Sequence, residues 1–388
     1  MEYKVGSLFA GVGGVCLGFK NSSTEKSKYE LSWANEIDEY ACSTYAYNFD
    51  HMLIQGDIEK IVKPEREEDQ DLRQEYQMKQ EQILNMDIDV LTGGFPCQAF
   101  SIAGYRKGFD DHRGNLFWSI RDLIELLEKS SHKPRVLFLE NVKNLLTHDG
   151  GNTYKVIKTE LEKLGYTVKE KVLNTKDFST LPQNRERIYI VGFLDKNVAD
   201  AFTMFDEDKI NDYKVKLTEV ERQNNIKEIL DLDKTIDELK DYYYTKQRYP
   251  RYFITQEEFD NMEDSISKTR INLDEQINEF LEFYQVRRGM YVRKNQNGVC
   301  PTLTANMGTG GHNVPLIKVA DGIRKLTPSE TFKLQGFPIG NGYELPTVYK
   351  GRPYSKSHLY KQSGNAVSVD VITLIATEIL KALEKSDN

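Results

Sequence analysis

The stretch LFAGVGG, residues 8–14, decides the fold of this chain because it joins a predicted strand to a predicted helix. Glycines at positions 11, 13 and 14 leave room for a ligand to approach backbone N–H groups. The spacing differs from the GxGxxG dinucleotide motif, since Cys16 stands three residues after Gly13. Alone, such a turn indicates a cofactor site only weakly.

Apolar and β-branched runs flank this turn and predict a doubly wound α/β domain. The strand-like runs are YKVGSLF, YELSWANEI, MLIQGDI, DVLTGGFP, RVLFLENV, YTVKEKVL and RIYIVGFL. Helical spacing covers residues 12–20, 39–48, 115–129 and 153–164. About seven strands by residue 194 are enough for one large sheet.

Two acidic residues stand at the ends of successive predicted strands. Glu36 ends the second strand and Asp57 ends the third. An acid about 20 residues past a glycine turn suits ribose hydroxyls, and one at the next strand end suits an adenine amino group. Each alone is more often a solvated loop acid, but together with the glycine turn they indicate a nucleoside cofactor.

Composition describes an ordinary globular chain and excludes several classes of protein. The 388 residues are 39% hydrophobic, and no run approaches the roughly 18 apolar residues of a membrane span. Four scattered cysteines form no CxxC pair, which argues against a disulfide framework or a cysteine metal site. The start MEYKVGSLFAG enters a strand at once, so we expect no secretory signal and a cytoplasmic protein.

Charge is unevenly distributed along the chain. The net charge of -8 argues against indiscriminate coating of nucleic acid. Residues 61–82 predict a solvated surface helix, and residues 255–282, with a net charge of -7, predict an exposed helical flank. Residues 285–325 carry seven basic residues and one acidic residue. This basic segment, with its loop ANMGTGGHN, either follows a phosphate backbone or is an ordinary basic surface.

Four further residues carry candidate chemistry. Cys97 lies in the turn GGFPCQAFS, and a loop cysteine near a helix N-terminus is a better nucleophile than a buried one. Glu140 follows the apolar run RVLFL, where a partly desolvated carboxylate can serve as a proton donor. Arg185 and Arg187, predicted on the same side of an incoming strand, suit an oxyanion or a phosphate.

Six segments in order resemble the motif series of the DNA (cytosine-5)-methyltransferase family, as found in bacterial restriction-modification systems. They are LFAGVGG (8–14), GGFPCQAFS (93–101), ENV (140–142), QNRERIYIVG (183–192), RKLTPSETFKLQGFP (324–338) and QSGNAVSV (362–369). The resemblance covers nearly the whole chain. One departure is Ala103, where the family often has serine.

This resemblance assigns a role to each matching position. The S-adenosylmethionine site would comprise Phe9, Gly11, Val12, Gly14, Glu36, Ile37, Asp57, Ile58, Pro96, Leu116, Asn365 and Ala366. Glu36 would hold the ribose, Ile37 would pack on the adenine, and Asp57 would bind its amino group. Cys97 would be the nucleophile, with Glu140 on the cytosine ring nitrogen and amine, Arg187 on its carbonyl oxygen, and Arg185 in support. Gln98 and Ser101 would contact DNA, and Arg287 and Arg288 of the basic segment are further candidates.

The fold implied is an α/β, Rossmann-like S-adenosylmethionine-dependent domain with a second, smaller target-recognition domain. We expect residues 1–194, completed by a helix at 365–388, to form the first, and residues 195–364 the second with its hinge. Expected partners are duplex DNA and a separately acting cognate endonuclease, for a monomer without membrane contact. The product would be S-adenosylhomocysteine, and no metal is expected.

Three other functions compete with this interpretation. A tRNA cytosine-5 methyltransferase would use the same motifs, although the long variable segment after residue 194 suits duplex readout. A catalytically inactive cytosine-binding module is disfavoured because Cys97, Glu140 and Arg187 are all present. A nicotinamide oxidoreductase lacks the GxGxxG spacing and leaves the PCQ and ENV motifs unexplained.

Overall fold

The computed structural model describes residues 1–95, 116–261, 269–287, 289–295, 298–309 and 313–386. Internal contacts divide the chain into two units. The first unit comprises Met1–Asn174, Glu186–Lys214 and Val367–Asn388, and the second comprises Thr175–Arg185 and Val215–Ala366. The chain therefore passes between the units at four places. The sequence had suggested only two boundaries, near residues 194 and 365. The functional roles of the two parts stay predictions.

The first unit is built on a seven-stranded sheet in the order β3-β2-β1-β4-β5-β7-β6. Its strands are β1 (Glu2–Leu8), β2 (Lys28–Glu36), β3 (Met52–Gln55), β4 (Val90–Gly94), β5 (Val136–Val142), β6 (Thr167–Asn174) and β7 (Glu186–Phe193). The pairs among β1 to β5 are parallel, and β7 runs antiparallel to both β5 and β6. The predicted α/β fold class and its strands are confirmed.

The α-helices of the described residues follow in chain order. They are α1 (Gly14–Lys20), α2 (Glu39–Ala46), α3 (Ile58–Val62), α4 (Gln70–Leu84), α5 (Leu116–Lys129), α6 (Asn152–Lys163), α7 (Thr175–Phe178), α8 (Lys196–Ala201), α9 (Glu219–Ile229), α10 (Ile236–Leu239), α11 (Gln256–Asp260), α12 (Leu273–Gln276), α13 (Pro328–Lys333), α14 (Lys356–Asn365) and α15 (Val369–Ser386). No helix among these described segments is apolar enough over a sufficient length to cross a membrane.

The core of the first unit forms where helices cover the parallel strands. Helix α5 buries Phe117, Ile120 and Leu127 on one face, as its 3.6-residue periodicity requires. They join Leu91 of β4 and Leu137 of β5 in one cluster, and all five side chains are fully buried. Each such burial stabilises the fold by roughly 1.5–3 kcal/mol. This packing fixes the positions of the carboxyl ends of the strands.

The C-terminal helix α15 packs within the same unit. The hydroxyl of Tyr29 donates to the Ala376 carbonyl at 3.0 Å, and Ser22 Oγ donates to the Thr373 carbonyl at 3.0 Å. A Cβ on Gly18 would lie 2.5 Å from the side chain of Ile372, so α1 and α15 pack too closely for any larger residue there. The helix begins at Val369, four residues later than the predicted start near 365.

The second unit contains a four-stranded antiparallel sheet in the order β11-β10-β8-β9. The strands of this unit are β8 (Phe283–Arg287), β9 (Tyr291–Lys294), β10 (Leu316–Val319), β11 (Gly322–Lys325) and the short pair β12 (Val348–Tyr349) and β13 (Arg352–Pro353). Phe283 and Ile317 occupy one side of the sheet in one apolar cluster, and Tyr284 and Leu316 occupy the other side in a second. Both faces are therefore partly covered.

The predictions for the two charged segments, residues 61–82 and residues 255–282, are each correct only in part. The surface helix predicted over residues 61–82 is confirmed only from Gln70 onward, as α4, which Asp69 caps by accepting from the N–H groups of Asp71 and Leu72. Its first part is wrong, because Ile61 and Val62 are buried at the end of α3. The predicted exposed helical flank over residues 255–282 is wrong in its second half. There Leu273 and Ile277 are fully buried, because the apolar residues between the acids complete a hydrophobic cluster.

Candidate active site

Three loops meet at the carboxyl ends of β1, β2 and β3. The N–H of Ala10 donates to the carbonyl of Asn35 at 2.9 Å, and the N–H of Gly56 donates to the carbonyl of Glu36 at 2.9 Å. These hydrogen bonds continue the parallel pairing beyond the strands and fix each loop to its neighbour. In open α/β sheets, this edge is where ligands bind.

The carboxylate of Glu36 organises the glycine turn. Its Oε2 accepts from the N–H of Gly11 at 2.7 Å, and its Oε1 accepts from the N–H groups of Ile37 and Asp38 at 2.8 and 2.9 Å. Charge-assisted hydrogen bonds of this kind are roughly twice as strong as neutral ones. Glu36 therefore holds the turn after β1 and the loop after β2 in one arrangement.

The turn itself has an unusual backbone. Gly11 and Gly13 have φ values of +56° and +84°, and Phe9 has a φ of +53° without being glycine. A bulky residue in the left-handed region is strained by about 1–3 kcal/mol, and such strain concentrates at functional sites. A Cβ on Gly11 would meet no described atom within 4 Å, so the space beside it is open to a ligand.

The remaining side chains at this edge suit an adenosyl group. Ile37 is 62% exposed although it is apolar, which offers a flat surface for an aromatic base. Asp57 caps α3 with Oδ1, which accepts from the N–H of Glu59 at 3.0 Å. Its Oδ2 accepts from no donor among the described residues, so one acceptor remains for an amino group. Open space, carboxylate and apolar surface together fit a nucleoside cofactor.

A second cluster lies at the end of β5. Nε of Arg187 lies 3.0 Å from Oε1 of Glu140, and their side chains are only 13% and 9% exposed. The contact is an ion pair without hydrogen-bond geometry, and Oε1 of Glu140 has no hydrogen-bond partner within the described part of the chain. The strand register explains the pair, since Glu140 lies opposite Tyr189 and Arg187 opposite Val142, on the same face of the sheet.

Asn141 ties this cluster to the end of β4. Its Nδ2 donates to the carbonyl of Phe95 at 2.9 Å, and its Oδ1 accepts from the N–H of Val142 at 2.8 Å. Asn141 is 2% exposed, and its bond to Phe95 is protected from water. Phe95 is the last described residue before the segment that carries Cys97. Asn141 thus fixes the point from which that segment leaves the sheet.

The family model for C-5 cytosine-specific DNA methylases matches residues 3–381. The chain belongs to this family. It is therefore a DNA (cytosine-5-)-methyltransferase, and the family uses S-adenosylmethionine as the methyl donor. Glu36 and the buried Glu140–Arg187 pair both lie within the matched residues.

Bacterial relatives agree with membership of this methylase family, and a solved structure shares the fold of the chain. The chain is 44% identical over 381 residues to the type II methyltransferase M.Bsp6I of Bacillus sp. (strain RFL6), covering 98% of this chain and 99% of the relative. It is 32% identical to the type II methyltransferase M.HhaI of Haemophilus parahaemolyticus over 97% of this chain and 94% of the relative. The crystal structure of the S. pombe Dnmt2 methyltransferase, 15% identical, shares the fold with a TM-score of 0.60 over 100% of this chain and 99% of that one.

Several residues predicted for the methylase site lie outside the described residues. These are Pro96, Cys97, Gln98 and Ser101, together with Arg288 of the basic segment. Their roles stay predictions.

The other predicted cofactor residues are placed as follows. Val12 and Gly14 are buried in the glycine turn and α1, and Ile58 is buried at the start of α3. Leu116 begins α5, Asn365 ends α14 with its side chain exposed, and Ala366 is buried. Leu116 belongs to the first unit, whereas Asn365 and Ala366 belong to the second.

Arg185 differs from Arg187 in surroundings. It lies just before β7, not within it, and is 2% exposed. Its guanidinium donates to the carbonyl of Leu303 at 3.0 Å and to the carbonyl of Ala366. This environment is that of a residue that positions backbone, and its burial leaves little surface for a phosphate. The predicted supporting role accordingly fits better than direct contact with an anion.

The basic segment carries less surface charge than its sequence suggests. Arg324 is 1% exposed and forms two hydrogen bonds with Glu330, at 2.8 and 2.6 Å. Glu330 is the third residue of a capping box that begins at Thr327, so the ion pair is built into the start of α13. Arg287, by contrast, is partly exposed on β8.

Sequence reasoning missed three buried features, namely Asn141, the Thr327–Glu330 capping box and Gln285. Asn141 lies within the ENV motif, which by itself assigns it no role. The capping box could have been found, because the spacing T-x-x-E from Thr327 to Glu330 is a recognisable capping signal. Gln285 on β8 is 7% exposed and carried no signal, because nothing in the sequence reveals that a glutamine on a basic segment is buried.

Proposed function

We propose that this methyltransferase modifies carbon 5 of a cytosine within a specific duplex DNA sequence, through a covalent adduct of Cys97 with a flipped-out base. The observation that carries the proposal is the buried Glu140–Arg187 pair at the carboxyl end of β5, in the same sheet whose β1 and β2 ends are organised by Glu36. A carboxylate and a guanidinium in one shielded pocket match the hydrogen-bonding edge of cytosine, which has both acceptor and donor groups.

The cofactor would be held by the first three strand ends. Glu36 binds the ribose hydroxyls while it keeps the Gly11 turn in place, and Asp57 uses its available Oδ2 for the adenine amino group. Ile37 covers the adenine ring, which explains why an apolar side chain is left 62% exposed. When bound, S-adenosylmethionine supplies an electrophilic methyl group to carbon 5 of the cytosine.

The chain's own residues make carbon 5 reactive. The Cys97 thiolate forms a bond to carbon 6, and the electrons of the 5,6 double bond shift toward carbon 5. Glu140 hydrogen-bonds the ring nitrogen and the exocyclic amine, and Arg187 binds the carbonyl oxygen, so charge that develops on the ring is stabilised. Once carbon 5 is methylated, its proton leaves to solvent, the double bond re-forms, and Cys97 departs as thiolate.

Access to this pocket requires base flipping, because carbon 6 cannot be reached inside a duplex. Extrusion costs a few kcal/mol of stacking and pairing. Gln98 and Ser101 are proposed to contact the DNA that the base has left, and Pro96, Leu116, Asn365 and Ala366 to complete the cofactor pocket. Residues 195–364 are proposed to recognise the flanking sequence, with Arg287 and Arg288 on the DNA backbone.

The relatives suggest a biological setting. Two are named type II methyltransferases and come from bacteria. We propose that this chain likewise belongs to a restriction-modification system, with a separately acting cognate endonuclease, and that it works as a cytoplasmic monomer.

Methyl transfer to two substrates tests the proposed function. Purified protein is incubated with S-adenosylmethionine and either duplex DNA or tRNA, and bisulfite sequencing locates the modified cytosines. We expect methylation of duplex DNA at one recurring sequence. Methylation of tRNA alone would overturn the duplex assignment, and scattered methylation would overturn the sequence-specific part.

A further inference from the structure

The hairpin of β8 and β9 has two chemically different faces. Strand alternation places Val286 and Val292 on the apolar side, where Val286 joins the cluster around Tyr284. The opposite side presents Gln285 directly across from Arg293, and Arg287 directly across from Tyr291. Phe283 on this second side is buried in the other cluster, so the solvent-accessible part of the side lies around Arg287, Tyr291 and Arg293.

This polar side borders a groove of about 700 Å³ within the second unit. Its lining includes Lys176, Arg287, Arg293, Lys294, Gln285 and Asn295, and no carboxylate lines it among the described residues. Lys294 is neutralised by Glu279, and Lys176 lies 3.9 Å from Asp177. Arg287 and Arg293 have no carboxylate within ion-pair distance in the described ranges, so their charges remain available to a polyanion.

Arg293 is held in place by neutral acceptors. One terminal nitrogen, Nη2, donates to Oε1 of Gln285 at 3.1 Å and lies 3.3 Å from Oδ1 of Asn295. Gln285 is 7% exposed, which makes it a rigid support. The Nη1 and Nε groups of Arg293 donate to none of the described residues. A guanidinium anchored at one nitrogen loses less conformational entropy when the remaining donors bind a ligand.

We infer that Arg293 reads a guanine in the major groove next to the target cytosine, and that Gln285 is its positioning residue. The inference rests on the proposed function, since it names how duplex DNA is recognised. A two-stranded ribbon fits the major groove, and arginine paired to O6 and N7 is the commonest specific contact with guanine. Phosphate contacts need no such support, so Arg287, which has no comparable anchor, is assigned to the backbone.

Replacement of the Arg293 guanidinium by the ammonium group of lysine keeps the charge but removes the paired donors, and so tests this assignment. Wild type, Arg293→Lys and the control Arg251→Lys, an exposed arginine of the same unit, are given duplexes randomised around one cytosine. Bisulfite sequencing measures the preference for each base at each position. Arg293→Lys should lose its preference for guanine at one position by roughly 5- to 150-fold, with other positions unchanged. Arg251→Lys should keep the whole motif.

A second pair of variants separates positioning from folding. Gln285→Ala and Gln285→Met both remove the acceptor that holds Arg293, so both should weaken the preference at the same guanine, although methionine keeps the length of the glutamine side chain. A loss in Gln285→Ala alone would assign Gln285 a packing role and overturn its role in positioning Arg293. If Arg293→Lys keeps the full motif, or loses rate equally on all sequences, the assignment of Arg293 is overturned. A wild-type chain that methylates no duplex in the library overturns the proposed function itself.

Discussion

Nε of Arg187 lies 3.0 Å from Oε1 of Glu140, in a pocket where both side chains are nearly buried. A buried carboxylate without a cation is costly, and Arg187 supplies that cation to Glu140. Nη2 of Arg187 and Oε2 of Glu140 have no hydrogen-bond partner among the described residues, so both retain capacity for a third group. The pair therefore has the unused hydrogen-bonding groups that the proposed recognition of cytosine requires.

Glu140→Gln should lower kcat by roughly 100-fold or more, because the amide keeps the shape of the carboxylate but cannot stabilise a protonated ring. The KM for S-adenosylmethionine should change little, since the proposed cofactor site lies at the ends of other strands. Steady-state methyl transfer measures both constants. Glu170→Gln on β6, which removes a partly exposed partner of Lys158, is the control and should keep wild-type kcat. Equal losses in the two variants would contradict the role of Glu140.

Cys97→Ser should abolish covalent trapping on duplex DNA that contains 5-fluorocytosine, where the missing proton blocks release of the enzyme. A serine hydroxyl is far less ionised than a thiol near neutral pH. Denaturing gel electrophoresis detects the adduct. Cys42→Ala should trap as wild type does, because burial and the nearby Glu36 and Asp38 raise the pKa of Cys42 to about 12. Trapping by the serine variant would remove Cys97 from the mechanism.

Glu36→Ala should weaken binding of S-adenosylhomocysteine by roughly 10- to 150-fold, the effect of one charge-assisted hydrogen bond of about 1.5–3 kcal/mol. The three N–H groups that Glu36 now accepts from would also lose their partner, so the Gly11 turn should loosen. Calorimetry measures the affinity. Glu30→Ala, at the exposed opposite end of β2, should bind as wild type does. Unchanged affinity in Glu36→Ala would exclude it from the site.

Arg324→Ala should destabilise the protein by about 3–5 kcal/mol, because it leaves the fully buried Glu330 carboxylate without its cation. The double variant Arg324→Met/Glu330→Gln should recover part of this loss, since no unpaired charge is left at this position and the amide oxygen can still accept from a buried N–H of Asp231 or Thr327. Urea unfolding gives the free energy of each variant. A double variant that is no more stable than Arg324→Ala would show that the destabilisation comes from poorer packing and not from the unpaired charge.

The strands of the sheet were predictable because apolar runs bounded by glycine, proline and acids leave few alternatives, and parallel topology then brings Glu36 and Asp57 to one edge. The identity of Arg324 as a buried residue was not predictable from its charge. Only its partner Glu330, positioned by the capping box from Thr327, explains the burial. A sequence reveals how many charged residues a segment contains, whereas a structure is needed to tell which of them already form ion pairs.

The basic segment, residues 285–325, also contains arginines that form no ion pair among the described residues, and these are the ones expected to bind DNA. Arg287 has no carboxylate within ion-pair distance among the described residues, and Arg288 follows it in the chain. Replacement of both by alanine should reduce the slope of log affinity against log salt concentration by about one unit for each phosphate that is no longer neutralised. Fluorescence anisotropy with duplex DNA at several salt concentrations measures the slope.

Arg251→Ala is the matched control, since it removes one exposed positive charge from the same unit at a position that is not part of the β8–β9 hairpin. Its slope should equal that of wild type. The motif methylated by the Arg287→Ala/Arg288→Ala variant should stay unchanged, because phosphate contacts carry affinity and register but no direct sequence information. An unaltered slope in the double variant would mean that this segment is only a solvated basic surface, whereas an altered motif would mean that one of the two arginines reads bases.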